Sequence, residues 1–168
     1  MATLNRIVPC LWFDTQAEEA ARYYVSIFKK NSEIGTITHY GKEGFEIHKK
    51  PEGSVLTVTF YLQGQEFTAL NGGSLFKFNE ATSFEVRCEN QAEVDYYWEK
   101  LGEGGEHGPC GWLKDRFGLS WQVVPAGMDE VFADDDPERA QRAMQAMLQM
   151  SKLDIAELKA AADGEPAR

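Results

Sequence analysis

The chain has 168 residues, with 27 Asp and Glu against 17 Lys and Arg, and its formal net charge is −10. This length predicts one domain or two closely coupled modules, with enough buried surface to need no disulfide or metal for stability. The hydrophobic fraction of 43% excludes an intrinsically disordered chain. Because the acidic charge repels phosphates, we expect no nucleic-acid partner.

The sequence also limits where the protein works. It contains no apolar run near the roughly 20 residues of a membrane span, and we expect neither a membrane partner nor a secretory signal at the N-terminus. Its cysteines, Cys10, Cys88 and Cys110, are far apart and odd in number. Reduced thiols are typical of cytosolic proteins, so we predict a cytoplasmic location.

The first part of the chain predicts a strand, a helix and further strands. The apolar run 7–13 predicts a buried strand, and Thr15 with Glu18 predicts a capping box that opens a helix. The β-branched run 34–40 and the run 55–62 predict two strands, and residues 42–53 predict a loop. A turn then leads into a strand over 66–70, and Asn71-Gly72-Gly73 ends the pattern.

The second part repeats this order. Residues 81–88 alternate between polar and apolar and predict a half-buried strand. Asn90 and Glu93 predict the N-terminus of a second helix, and 111–114 and 119–124 predict short strands. Farther on, Pro137 predicts the start of one helix, and Asp154 with Glu157 predicts the cap of another. We therefore divide the chain into a first module (1–73), a second module (74–127) and an acidic C-terminal helical tail (128–168).

Several motifs together resemble one known family. They are Pro9-Cys10-Leu11-Trp12-Phe13-Asp14, Arg22-Tyr23-Tyr24, Asn71-Gly72-Gly73, Phe78-Asn79-Glu80, Tyr97-Trp98, Cys110 to Asp115, and Phe117 to Gln122. This set resembles the PhnB-like branch of the vicinal oxygen chelate superfamily, a superfamily that includes glyoxalase I. The PhnB-like branch is often labelled a 3-demethylubiquinone-9 3-methyltransferase domain. The resemblance implies an α+β fold of two βαβββ modules that form an open curved barrel around a cavity, followed here by C-terminal helices. It also implies a homodimer.

The resemblance implies a divalent metal in typical superfamily enzymes, held by His, Gln and Glu side chains on the first and last strands of each module. Carried onto this sequence, the ligand positions fall on Pro9 or Ile7, on Ala69, on Ser83 and on Gln122. Hydrocarbon side chains cannot bind a metal, Ser is a poor ligand and Gln a weak one. We therefore predict no cofactor, with a divalent metal as the second possibility. The three histidines, His39, His48 and His107, are interpreted as solvated surface residues.

Candidate ligand contacts follow from strand alternation, because residues two apart point to the same side of a sheet. Ser83, Glu85 and Arg87 share one face of their strand, and Gln122 lies on the last strand; with the resemblance, this face is expected to line the cavity. Glu85 and Arg87 would then orient a small polar ligand, with Arg87 pairing to an anionic group. The alternative interpretation is that Glu85 and Arg87 lie on a solvated surface and contact no ligand.

Two more candidates lie near the cavity rim. Trp112 is interpreted as either a core or a ligand-contacting aromatic residue, whereas Trp12 is assigned to the core. Cys10 and Cys110 are both interpreted as buried structural thiols, with Cys10 facing the helix. Cys110 is the better functional candidate of the two because it precedes a strand.

The glycines bear on the methyltransferase label. A Rossmann-type cofactor loop needs glycines between a strand and a following helix, whereas Gly102 to Gly105 follow a helix and Asn71-Gly72-Gly73 lead into no helix. We therefore do not expect methyl transfer.

The sequence thus predicts a glyoxalase-like protein that holds a small polar or aromatic molecule without the usual metal. Two alternatives stay open, a metal-dependent lyase or dioxygenase related to glyoxalase I and a non-catalytic binding protein. No catalytic residue can be assigned, and the sequence does not decide whether the protein is an enzyme.

Overall fold

The structure, a computed structural model, describes residues 6–133 and 135–165. The chain divides into two compact units, of which the first ends at Lys77 and the second begins at Phe78. Among the described residues, no helix combines the length and apolar character that crossing a membrane requires.

The first unit is a four-stranded sheet covered by one long helix. Its elements are β1 (Cys10–Phe13), α1 (Ala17–Phe28), β2 (Glu33–His39), the short α2 (Phe45–His48), β3 (Val55–Leu62) and β4 (Gln65–Asn71). The strand order is β1-β4-β3-β2, with β1 parallel to β4 and the other pairs antiparallel. The core lies between α1 and the sheet, where Tyr24, Val58 and Phe60 are fully buried.

The start of α1 differs from the predicted capping box. The helix begins at Ala17, and its N-cap residue, Gln16, makes no side-chain capping bond, so the prediction for Thr15 and Glu18 is wrong. Instead, Asn71 Oδ1 accepts a hydrogen bond from the Ala17 N–H at 2.8 Å. The capping oxygen therefore comes from the end of a strand 54 residues away, where local sequence cannot reveal it.

The faces of β1 are also the reverse of the prediction. Leu11 and Phe13 are buried on the helix side, whereas Cys10 is exposed and Trp12 lies on the opposite face. The Trp12 indole packs against Gly72, where an added Cβ would lie 2.2 Å from the ring. Position 72 therefore requires glycine, because any side chain there would collide with the Trp12 indole. The predicted loop over 42–53 also contains α2.

The second unit repeats the order of elements. It contains β5 (Ser83–Cys88), α3 (Gln91–Gly102), β6 (Glu106–His107), β7 (Trp112–Lys114), β8 (Ser120–Pro125), α4 (Met128–Phe132), α5 (Pro137–Met147) and α6 (Ile155–Ala162). The strand order β5-β8-β7-β6 matches that of the first sheet, with β5 parallel to β8. Two βαβββ modules with C-terminal helices confirm the predicted α+β class.

The caps of the later helices follow the sequence signals. Asn90 Oδ1 accepts from the Glu93 N–H at 3.0 Å, which confirms the predicted N-terminus of α3, and Glu93 Oε2 accepts from the N–H of Glu89, the residue before the N-cap, at 2.8 Å. The Asp154 side chain likewise accepts from the Glu157 N–H at 2.9 Å. These predictions are confirmed because both partners lie within one helical turn.

Candidate functional site

One face of the second sheet carries a concentration of polar side chains. Val86, Cys88, Trp121 and Val123 are buried on the side that packs against α3. Their neighbours in each strand point to the other side. We call this side the open face; it carries Ser83, Glu85 and Arg87 of β5, Ser120 and Gln122 of β8, and Trp112 and Lys114 of β7.

The structure brings two of the predicted candidates into contact. Gln122 Nε2 donates a hydrogen bond to Ser83 Oγ at 2.9 Å, across the parallel pair β5 and β8. Trp112 lies directly opposite Gln122 in the antiparallel register of β7 and β8. Side chains that face each other across a register are in contact range, so Ser83, Gln122 and Trp112 form one continuous patch.

Glu85 and Arg87 lie farther along β5 and pair with each other. Arg87 Nε donates to Glu85 Oε1 at 2.7 Å, and Arg87 Nη2 lies 3.6 Å from Asp129 Oδ2. Hydrogen bonding to Glu85 and the charges of Glu85 and Asp129 raise the pKa of Arg87. The Arg87 guanidinium is thus already paired with the carboxylates of Glu85 and Asp129, on an exposed part of the strand.

Cys110 contacts the C-terminal segment. Its backbone adopts a left-handed conformation with φ of 56°, and its Sγ lies 3.5 Å from the Met147 carbonyl oxygen. Cys110 does not line the cavity described next.

A cavity of about 460 Å³ opens on the part of the second unit where β6, β7 and β8 meet. Its polar lining comes from Glu80, Glu106, His107, Lys114 and Ser120, and its apolar lining includes Trp112 and Pro109. Small-molecule pockets occupy roughly 300–1,000 Å³ and combine an apolar wall with a few polar groups. The cavity lies within this range of volumes and has this mixed lining.

Lys114 is held as a cation by the carboxylates around it. Its Nζ forms an ion pair with Glu80, and Glu106 lies opposite Lys114 in the register of β6 and β7. Hydrogen bonding to Glu80 and the charges of Glu80 and Glu106 raise the pKa of Lys114, while the same hydrogen bond lowers the pKa of Glu80. A lysine that acts as a base or nucleophile needs a lowered pKa, so Lys114 is suited to electrostatic contacts only.

Ser120 differs from the other polar residues of the cavity. Only 1% of the residue is exposed, and its hydroxyl is the buried side-chain polar atom that lacks a hydrogen-bond partner within the described part of the chain. A buried unpaired hydroxyl costs about 1–3 kcal/mol. Such a group in a folded protein calls for an explanation, and a binding site is one.

His107 is exposed, as predicted for a surface histidine, but its ring also contacts α3. Its imidazole stacks on Trp98 with ring centroids 4.4 Å apart, and its Nε2 lies 3.1 Å from the Trp98 carbonyl oxygen. A Cβ added at Gly102 would lie 2.1 Å from this nitrogen. Because Gly102 has no side chain, the ring can occupy this position beside the cavity.

The cavity rim is attached to the C-terminal segment by backbone hydrogen bonds. The N–H groups of Cys110 and Gly111 donate to the carbonyl oxygens of Met150 and Ser151, each at 2.8 Å. Ser151 Oγ also donates to the Gly108 carbonyl oxygen at 2.7 Å. Gly108 lines the cavity, so the segment after α5 fixes part of its wall.

Asp115 positions the strands on the other side of the cavity. This buried carboxylate accepts hydrogen bonds from the N–H groups of Phe117 and Leu119 through Oδ1 and from Trp121 Nε1 through Oδ2. The three bonds fix the turn between β7 and β8, and therefore the register that places Lys114 opposite Ser120.

The predicted site candidates do not include the five polar residues of the cavity lining, which are Glu80, Glu106, His107, Lys114 and Ser120. Alternation along the last strand does predict that Ser120 shares a face with Gln122, and the structure places both on the open face. Glu106, His107 and Lys114 lie on β6 and β7, which have two and three residues and carry almost no pattern of their own, and Glu80 lies in the turn before β5.

The donor set does not fit the divalent metal that the fold implies. Among residues 6–133 and 135–165, no group of three or more His, Cys, Asp and Glu side chains is placed to hold a metal ion. At the positions carried over from the superfamily, Ala69 is fully buried and Gln122 donates its amide N–H to Ser83.

Comparisons with known proteins identify the family. The sequence model described as 3-demethylubiquinone-9 3-methyltransferase matches residues 5–124. No curated protein matches the sequence. Among solved structures, a PhnB protein from Bacillus cereus is 35% identical with a TM-score of 0.62, and the match covers 73% of this chain and 100% of that protein.

More distant structures share the fold. A protein from Pseudomonas aeruginosa has 18% identity and a TM-score of 0.58, covering 73% of this chain and 98% of its own. The fosfomycin resistance protein FosX from Listeria monocytogenes has 16% identity and a TM-score of 0.50, covering 77% of this chain and 98% of its own. The chain therefore belongs to the 3-demethylubiquinone-9 3-methyltransferase family, the PhnB-like branch of the vicinal oxygen chelate superfamily.

Proposed function

We propose that the protein binds a small polar or aromatic molecule in the cavity on the open face of the second unit. The observation that carries this proposal is the buried, unpaired hydroxyl of Ser120 in the wall of a 460 Å³ cavity. The family name, which refers to a demethylubiquinone, is consistent with a planar ring ligand that bears polar groups. Methyl transfer is not part of the proposal.

The nearby polar network supports the same site. Ser83 and Gln122 lie beside Trp112 on the open face, and their mutual hydrogen bond fixes both side chains. Side chains held in one orientation contact a ligand at a lower cost in conformational entropy. We propose that this pair bounds the site on the β5 side.

The test is calorimetric titration with two molecules of the same ring system, naphthol and naphthoate. We expect saturable one-to-one binding of at least one of them, lost or weakened about tenfold in Trp112→Ala because the aromatic wall is removed. Phe76→Ala is the matched control, since Phe76 is an exposed aromatic residue of the first unit. If neither molecule binds, or if Trp112→Ala and Phe76→Ala behave alike, the cavity is not the site.

We also propose that the protein acts as a homodimer. Large apolar side chains are exposed on the first unit, including Ile7, Ile47 and Leu75, which are 86%, 89% and 77% exposed. Exposed apolar side chains mark contacts between subunits when they form one contiguous patch, and we propose that these residues belong to such a contact. Light scattering during size-exclusion chromatography tests this, and a mass equal to one chain would contradict it.

A reducing, cytoplasmic location is the last part of the proposal. Cys10, Cys88 and Cys110 are all free thiols, as is usual for proteins of a reducing compartment. Localisation of the tagged protein in cells, compared with a secreted reference, tests this.

A further inference from the structure

We propose, on the basis of the binding function above, that the cavity selects an uncharged aromatic alcohol over an aromatic carboxylate or phosphate of the same size. The inference follows from the charges of the cavity wall, from its aromatic lining and from the unpaired hydroxyl of Ser120.

The charges in the cavity disfavour an anion. Lys114 provides one positive charge, whereas Glu80 and Glu106 provide two negative charges. The ammonium group is already paired with Glu80. An anionic ligand would have to displace Glu80 from Lys114 and would still face the charge of Glu106. A neutral ligand meets no such repulsion, because its binding leaves the ion pair in place.

The lining favours a planar ring. Trp112 and Pro109 belong to the apolar part of the wall, and aromatic rings gain both buried apolar area and directional packing against an indole. The volume of about 460 Å³ accommodates one or two fused rings. A planar ring would therefore lie against Trp112, close to the hydrogen-bonded pair of Ser83 and Gln122.

Ser120 provides the polar contact. Its hydroxyl can donate and accept, which matches the hydroxyl of an alcohol. The oxygen is covered by protein, so this contact requires a neighbouring side chain to move. Lys114 lies directly opposite Ser120 in the register of β7 and β8, and its side chain is 38% exposed. A flexible lysine at this position can shift and stay paired with Glu80.

The experiment compares naphthol and naphthoate by calorimetry near neutral pH, with the full-length protein. We expect naphthol to bind about tenfold more tightly than naphthoate. In Glu80→Gln, Lys114 loses its partner, and naphthoate should gain about tenfold in affinity while naphthol changes little. Glu99→Gln, on the exposed surface of α3, removes the same charge outside the cavity and should change neither affinity.

Ser120→Ala tests the hydrogen bond separately. We expect about a five- to tenfold loss of naphthol affinity, whereas Ser26→Ala, an exposed serine of α1, should have no effect. Circular dichroism of each variant verifies that the fold is kept.

The outcomes separate the two proposals. If naphthoate binds as tightly as naphthol, or if Glu80→Gln changes both affinities equally, the charge selection is wrong while the binding site stands. A naphthol affinity that is unchanged in Ser120→Ala overturns the proposed contact. If neither molecule binds the wild-type protein, the proposed function itself fails.

Discussion

Asn71 Oδ1 accepts the backbone N–H of Ala17 at 2.8 Å, and this bond joins the end of β4 to the first turn of α1. The same side chain donates through Nδ2 to the Val55 carbonyl oxygen at 3.1 Å. One buried amide thus connects a helix and two strands of the first sheet.

We expect Asn71→Ala to lower the free energy of unfolding by about 2–3 kcal/mol, because it removes two hydrogen bonds and leaves buried backbone groups unpaired. Asn90→Ala, which removes the cap of α3, should cost only about 1 kcal/mol because that N-cap is exposed to water. Denaturant unfolding of both variants measures the difference. If the two variants lose the same free energy of unfolding, the bonds of Asn71 contribute no more than an ordinary N-cap.

The close approach of His107 and Gly102 gives a second prediction. In Gly102→Ala, the new Cβ would collide with the imidazole, so His107 has to leave its position against Trp98. We expect a loss of about 1–3 kcal/mol in the free energy of unfolding, as for overpacked sites.

A double-mutant cycle checks this cause. His107→Ala in the Gly102→Ala background should recover most of the loss, because the collision disappears. If the two losses simply add, the contact between the two residues is not the source of the effect.

Leu153 tests the attachment of the C-terminal segment. It is fully buried and lies beside Gly111, whose N–H is bonded to the neighbouring Ser151. Leu153→Ala should cost about 2–5 kcal/mol and should speed hydrogen exchange at the amides of Cys110 and Gly111. Leu148→Ala is the control, since Leu148 is 57% exposed. Unchanged exchange at both amides would show that the rim does not depend on this segment.

Cys10 and Cys88 are predicted to react in a defined order. Burial raises the pKa of Cys88 to about 12, with a further contribution from Glu93. At mildly alkaline pH, below that value, Cys88 stays a protonated thiol, and only the thiolate is a strong nucleophile. Iodoacetamide followed by mass spectrometry should label the exposed Cys10 before Cys88. In denaturant all the cysteines should be labelled, and early labelling of Cys88 in the native protein would contradict the structure.

Sequence patterns within a single helix or strand predicted most elements of the fold. The wrong predictions concern the start of α1, which depends on a contact between residues far apart in the sequence, and the faces of β1. The caps of α3 and α6 were predictable because both partners lie within one turn, whereas α1 takes its cap from Asn71. On β1, four residues with a proline in front were too few to assign the faces, so Cys10 was placed on the wrong side.

The candidate site was predictable only in part for a related reason. Alternation on the six-residue strands β5 and β8 placed Ser83 and Gln122 on one face, and the structure joins them by a hydrogen bond. Lys114 reaches the cavity through the β7 register, which the buried carboxylate of Asp115 helps to fix. No pattern in three residues could reveal that placement.

The attachment of Cys110 and Gly111 to residues 150 and 151 has a consequence for where this protein can be divided. The region shared with the family ends at residue 124, yet the carbonyl groups that hold the cavity rim come from the later segment. A shortened protein that ends with the shared region would expose two backbone N–H groups and uncover the apolar surface beneath Leu153. The region shared with the family is therefore shorter than the smallest unit that keeps the cavity wall intact.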